Sequence, residues 1–390
     1  MSLARRLLPN QAHAISRRCA GRHFFLVPDK WCTQLIGYCF AVANERYPEV
    51  QIHAFVAMSN HLEIVATDGH NPGKWSQVPR FFAYAHSLIA KAMNHRYGRG
   101  ENFWAPGSYH NLEIHDEPAL LDRLVYALAN PAAANLVETL DDWPGLHYGP
   151  ESWGESFPFE RPEGAFFGGS RQSVPSPEAD VARRQREEQR QQYAEELKQA
   201  READRAAGLT KREAQQAAAE RRQVRKERLE RSRSRRDRRT LPQRATLRIV
   251  TPPTYEERKA QAAQEVAAHL EEREAEHRAS REREGKTVLG RAGVLAVDPL
   301  SSAGSTEADY SLKPVVACKD SELRKRTLKC LVGWRRRYKQ ARKKWPKKRN
   351  QRFPLGTYLL AAAHGAKVMS EEEALKDEVI HLPTGPPGLA

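Results

Sequence analysis

Cysteine is scarce in this chain and irregularly placed. The five residues (Cys19, Cys32, Cys39, Cys318 and Cys330) are odd in number and form no CxxC pair. That excludes a cysteine zinc ribbon and a disulfide framework and leaves reduced thiols, with Cys32 and Cys39 as core residues. Long apolar runs are missing too. No stretch approaches the length of a membrane span, and the opening MSLARRLLPNQAH lacks the apolar core of a secretory leader. There is no glycine-rich GxxxxGK phosphate loop. These absences predict a cytoplasmic protein with no membrane partner.

Positive charge is what the chain has in excess. Its 390 residues carry a formal net charge of +15, with a pI near 9.7. Such a balance favours a polyanionic partner, nucleic acid first. The charge is unevenly spread, and composition divides the chain into four stretches. Residues 1–158 read as an ordinary globular domain. Residues 159–240 are a linker and a helix of Arg, Glu, Gln and Ala, interrupted near Gly208. Residues 241–320 hold a strand, a second charged helix and a loop. Residues 321–390 form a basic segment interleaved with aromatics. In the long charged stretch Leu197, Leu209, Val224 and Leu229 are too sparse for a heptad seam, so a solvated helix is expected there.

Within the first stretch the element types alternate. His13–Cys19 reads as a strand, and a helix opens at Pro28-Asp29. VQIHAFVAMS and HLEIVATD read as two strands joined around Ser59-Asn60. A helix spans about 78–97, a fourth strand His110–Asp116, and a further helix EPALLDRLVYALANP stops at Asn130-Pro131. The order β-α-β-β-α-β-α is the split βαβ pattern of ferredoxin-like α+β folds, with an antiparallel sheet and helices on one face. Further on, ATLRIVTPP reads as a strand. A second charged helix starts at Thr254, where Thr254 and Glu257 have capping-box spacing, and ends near Gly285. Residues 286–320 read as loop.

Strand periodicity puts His61 and Glu63 on one face of HLEIVATD, opposite Leu62 and Ile64. In the last helix of the domain, Leu121, Leu124, Val125 and Leu128 cluster on one side, while Asp122, Tyr126 and Asn130 fall well away from it. If that helix lies on that sheet face, an imidazole, a carboxylate, an amide and a phenol converge. His, Glu and Asn together suit a hard divalent cation such as Mg²⁺ or Mn²⁺. Taken singly, His61 with Glu63 also reads as a hydrogen-bonded strand pair, and Tyr126 as a helix tyrosine with a wet hydroxyl. His53, His110 and His115 read as structural. Tyr47, Tyr84 and Tyr97 lack an asparagine one turn on.

The runs HAFVAMSNHLEIVATD, NFWAPGSY and YALANPAAANLVETLDDWPG resemble the REP-associated tyrosine transposases of bacteria, of the single-tyrosine branch of the HUH single-strand endonucleases. LPQRATLRIVTPP and RFPLGTYLLAAAHGAKV resemble the tail of long members. The resemblance implies that His61 and Glu63 occupy the two HUH positions as metal ligands, Asn130 is the third ligand, and Tyr126 is the nucleophile. It implies cleavage and rejoining of single-stranded or hairpin DNA through a 5′-phosphotyrosine, by a monomer or homodimer at the nucleoid. Where the family carries its second histidine, this chain has Glu63. A carboxylate is a natural ligand for Mg²⁺, and the alternative is a DNA-binding protein that keeps the fold without strand transfer.

For gripping DNA the sequence offers Arg5, Arg6, Arg17 and Arg18 near the first strand. In the C-terminal segment it offers Trp334, Arg335, Arg336, Tyr338, Lys343 and Trp345, where aromatics among basic residues suggest phosphate neutralisation with base stacking. Solvated charge, or an RNA-associated or structural role, is the other reading of that tail.

Overall fold

The computed structural model describes residues 4–69, 75–107, 109–166, 241–304 and 314–375. The charged stretch with Leu197, Leu209, Val224 and Leu229 lies outside the described residues.

The first half follows the alternation read from sequence. β1 (Gln11–Arg18) leads to α1 (Lys30–Arg46), and the Asp29 side chain caps α1 by accepting from the Cys32 backbone at 2.8 Å. β2 (Val50–Ala57) and β3 (His61–Asp68) form a tight hairpin, closed where Met58 N donates to His61 O at 2.9 Å. α2 (Val78–Arg96), β4 (His110–Ile114) and α3 (Glu117–Ala133) complete the series. β3 pairs antiparallel with both β1 and β2, and β1 pairs antiparallel with β4. The order across these four is therefore β2-β3-β1-β4, with α1 crossing between two strands separated by a third.

Several expectations need correction. The sheet is mixed rather than antiparallel, with eight strands in the order β6-β7-β2-β3-β1-β4-β8 and β5 attached to β2. β5 (His147–Tyr148) and β6 (Glu155–Glu160) precede the undescribed stretch. β7 (Arg244–Ile249) follows it, antiparallel to β6 and parallel to β2, while β8 (Val316–Ala317) adds parallel to β4. The segment from 241 to 320 accordingly does not stand apart, because its described residues from 243 onward fall in one compact unit with the described residues up to 166.

Secondly, helices cover both faces. Phe55 and Ile64 are cross-strand partners, and Phe40 of α1 packs on Phe55 at 4.6 Å and on Phe81 of α2 at 5.9 Å. α1 and α2 thus close the Leu62/Ile64 face, and α3 packs against β2 and β3 from the other side.

Thirdly, Pro253–Arg258 is a 3-10 turn with no side-chain cap, and α4 begins at Lys259 and runs to Arg283. α4 is less solvated than its composition suggests. Ala262, Val266, Glu274 and Arg281 are buried along one seam, with Glu274 accepting from Leu140 N and Arg281 donating to Ala132 O. The region expected as loop holds α5 (Gly290–Ala296) as well as β8.

Fourthly, α3 does not stop at Pro131 but continues to Ala133. A proline there removes one donor near a helix end, where little ladder remains to break. Asn135, at φ 56°, then turns the chain.

The C-terminal segment is α6 (Ser321–Lys344), α7 (Leu359–His364) and α8 (Glu371–Leu375). Asp320 caps α6 through Glu322 N and Leu323 N. Trp334 is fully buried, stacks on Tyr338 and donates its indole N–H to Leu355 O at 2.6 Å. The N-terminal segment meets the C-terminal one where Leu7 N donates to Gly356 O at 3.0 Å. Gly356 has φ +82°, and a Cβ there would stand 2.9 Å from Arg6 Cγ, so only glycine fits.

Candidate active site

β3 sends His61 and Glu63 to the face that α3 covers, and β1 lays Arg18 opposite His61 and Ser16 opposite Glu63. His61 Nε2 stands 3.7 Å from Glu63 Oε1. On its other side the ring places Nδ1 2.7 Å from Asn60 Oδ1. That oxygen only accepts, so Nδ1 carries the proton and Nε2 keeps its lone pair toward Glu63. The Asn130 side chain lies beside the same ring. Asn130 Nδ2 donates to Tyr126 O at 3.1 Å, which leaves its Oδ1 for the site.

The electrostatics follow from this enclosure. Burial, then the Arg18 charge, pull the His61 pKa down to about 4, against the opposing effect of Asn130, so the ring is neutral at pH 7. Burial pushes Glu63 up to about 7, although Ser16, Arg18 and Arg123 all favour its charged form. The His61 Nε2 lone pair and a Glu63 carboxylate oxygen thus face each other across 3.7 Å, with the Asn130 side chain beside the ring. The donor set fits Mg²⁺ or Mn²⁺. Among the described residues no group of three or more His, Cys, Asp or Glu side chains is placed to hold a metal, so a cation here needs the Asn130 amide as a third protein ligand.

Tyr126 sits one turn before Asn130 and is 45 % exposed, large for an aromatic. The Arg123 guanidinium lies 4.8 Å from the centre of its ring and is tied to Asp122. Arg123 also acts on Glu63, so one cation is shared between the phenol and the carboxylate.

Ser16, Asn60 and Arg123 also belong to the site, although strand and helix periodicity alone do not single them out. Arg123 was recoverable, since it precedes Tyr126 by three on one helix. Ser16 required the β1–β3 register, which nothing local specifies.

The DNA-grip candidates separate. Only Arg18 of the first-strand group borders the site. Arg17 points to the opposite face, donating to Gly107 O at 3.1 Å. Arg5 lies 4.2 Å above the Tyr109 ring and bonds to Tyr109 O. Arg6 is a correction: it is buried, paired with Glu113 at 2.8 Å, and out of reach of any DNA. Trp334 is another, for the same reason. Tyr338 and Trp345 pack on Phe353, and Arg349 covers the Trp345 ring at 4.1 Å. Arg335 is half-buried, and burial lowers its pKa. Arg336 and Lys343 are exposed.

His53 is structural, as read. Its Nδ1 donates to Val250 O at 2.9 Å and its Nε2 accepts from Thr67 Oγ1 at 2.8 Å.

No family model matches the chain, and no curated protein does. A comparison with solved structures finds a similarity to a REP-associated tyrosine transposase solved bound to a REP hairpin, at TM-score 0.32 and 18 % identity, over 37 % of this chain and 81 % of that one. At that distance the likeness carries no argument about fold or chemistry. Among the described residues no helix is long and apolar enough to cross a membrane.

Proposed function

We propose that the protein is a transposase-like, metal-dependent transesterase acting on single-stranded or hairpin DNA, with a ferredoxin-like HUH-type core. Working as a monomer or homodimer at the nucleoid belongs to the same reading. The observation that carries it is the helix that brings Asn130 to His61 and, one turn earlier, holds an exposed Tyr126 under Arg123.

His61, Glu63 and Asn130 would hold Mg²⁺ or Mn²⁺, which when bound polarises a phosphate oxygen. Asn60 keeps the His61 tautomer with Nε2 free to ligate. Arg18 and Arg123 attract the phosphodiester and offset its charge. Tyr126 Oη attacks phosphorus in line. The Oη–P bond forms, the P–O3′ bond breaks, the phenol proton is lost and the departing 3′ oxygen takes one up. The 5′-phosphotyrosine conserves the phosphodiester, so a second 3′-OH can reverse the step without ATP.

The test is incubation with a hairpin-bearing single strand and Mn²⁺, followed by denaturing electrophoresis. An adduct present in wild type and absent in Tyr126→Phe supports the reading. Tight hairpin binding with no adduct across many sequences replaces it with a DNA-binding protein lacking strand transfer.

A further inference from the structure

α6 has two faces of opposite character. Its inner face, Thr327, Cys330, Leu331, Trp334 and Ala341, is buried against the rest of the unit. On its outer face Lys325, Lys329, Val332, Arg336, Lys339 and Lys343 are all exposed. Their spacing of three or four keeps them in one straight line along the helix. The helix carries eleven Lys and Arg against one acid, Glu322.

We infer that this line is a seat for the phosphate backbone of a DNA duplex, such as the stem of a hairpin. Three observations select that occupant. The aromatics that would stack on unpaired bases are consumed inside: Trp334 is buried, Tyr338 lies between Trp334 and Phe353, and Trp345 is covered by Phe353 and Arg349. What remains outside is charge, which recognises the denser phosphate array of a duplex. The line from Lys325 to Lys343 is about 27 Å long, within the ~34–36 Å of one turn of B-DNA. An anionic membrane is a poorer fit, because the exposed apolar surface of α6 is confined to Leu328 and Val332.

The seat is also fixed relative to the tyrosine helix. Asp116 caps α3 through Ala119 N at 2.9 Å and accepts from Lys319 N and Asp320 N, the residues that open α6. A stem lying on α6 is thereby held in register with α3. The inference rests on the proposed function only in choosing DNA over RNA.

The test compares the full-length protein with the triple variant Lys329→Glu, Arg336→Glu, Lys343→Glu. Probes are a hairpin with a ten-base-pair stem, an unstructured single strand of equal length, the same stem as RNA, and vesicles containing phosphatidylserine. Wild type should prefer the DNA hairpin. The variant should lose at least tenfold affinity for it, with a shallower salt dependence by about 0.9 in log–log slope per lost phosphate contact, and little affinity for the single strand. Equal wild-type affinity for hairpin and single strand, an unchanged variant, a preference for the RNA stem, or loss confined to vesicles overturns the inference. Adduct formation on the unstructured strand is scored separately, so a chain that never forms an adduct but still binds stems through α6 refutes the chemistry and not the seat.

Discussion

Asp116 Oδ2 accepts the backbone N–H of Lys319 at 2.6 Å, joining the start of the tyrosine helix to a residue two hundred positions later. The same carboxylate receives Asp320 N and the Cys318 thiol, while its Oδ1 caps α3. Burial alone would raise its pKa, yet these donors hold it below the usual aspartate range. Asp122, on α3 itself, repeats the tie through Lys319 Nζ at 2.9 Å.

Asp116→Ala should therefore cost about 2–4 kcal/mol, a lost cap plus N–H groups left unpaired. The same variant should make the 317–320 connection cleavable by trypsin. A urea midpoint within about 0.5 kcal/mol of wild type would show that the joint is not carried by this carboxylate.

Glu63 makes stability fall as pH rises. Its folded pKa of about 7 lies above the ordinary 4.5, so the folded state holds a proton the unfolded chain has released. The penalty is absent below pH 4.5, grows through the window to about 7 and is then constant. Glu63→Gln should leave stability unchanged at pH 4 and raise it at pH 8 by at most about 3 kcal/mol. The His61 contribution is common to both proteins and cancels in the comparison. Mn²⁺ should raise the wild-type melting temperature at pH 8 and fail to do so in Glu63→Gln. Equal shifts in the two proteins would mean the cation binds elsewhere.

Tyr126→Phe should be silent in folding, within about 0.5 kcal/mol by urea titration, because the ring is exposed. Paired with loss of the adduct, that result isolates chemistry from structure. A large loss of stability would make the tyrosine structural.

Arg6 and Glu113 form a buried pair that also includes His115, whose Nε2 is 3.2 Å from Glu113 Oε2. Burial by itself would raise the Glu113 pKa, but Arg6 and His115 bring it to about 2. Its contribution is thus present above pH 4.5 and lost as pH falls toward 2. Arg6→Ala should cost about 3–5 kcal/mol at pH 7 by stranding the carboxylate. A double variant Arg6→Met, Glu113→Leu should recover much of that loss. If the double costs as much as both singles together, the two side chains are not coupled.

Trp334→Ala should cost about 3–5 kcal/mol, since the indole is fully buried and fills the space between α6 and Leu355. This is the sharpest contrast with the sequence reading, in which Trp334 and Lys343 were equals. Alternation of aromatic and basic residues looks the same whether the rings face bases or a protein interior. Only the helix phase separates them: Trp334 and Tyr338 share the inner stripe with Cys330, whereas Arg336 and Lys343 lie on the other side.

The first four strands and three helices were legible because each carries a local signal: Asp29 and Pro118 at helix starts, alternation in β3, and the tight Ser59-Asn60 connection. The site was half legible. His61, Glu63 and Asn130 could be placed on faces from periodicity, but their meeting depends on α3 crossing the sheet on the side opposite α1. β7 and β8 joined the sheet as parallel neighbours through long-range pairing that no short window encodes.

The pairing of β6 with β7 has one more effect. Arg161 N donates to Gln243 O at 2.7 Å, so the chain leaves the unit and returns to it at adjacent points on one ladder. For the core, what lies between these residues enters as the length of one connection, and connection length enters stability only logarithmically. The position is therefore a natural port, through which sequence can be lengthened, trimmed or exchanged for a foreign domain while the sheet and its site keep their geometry.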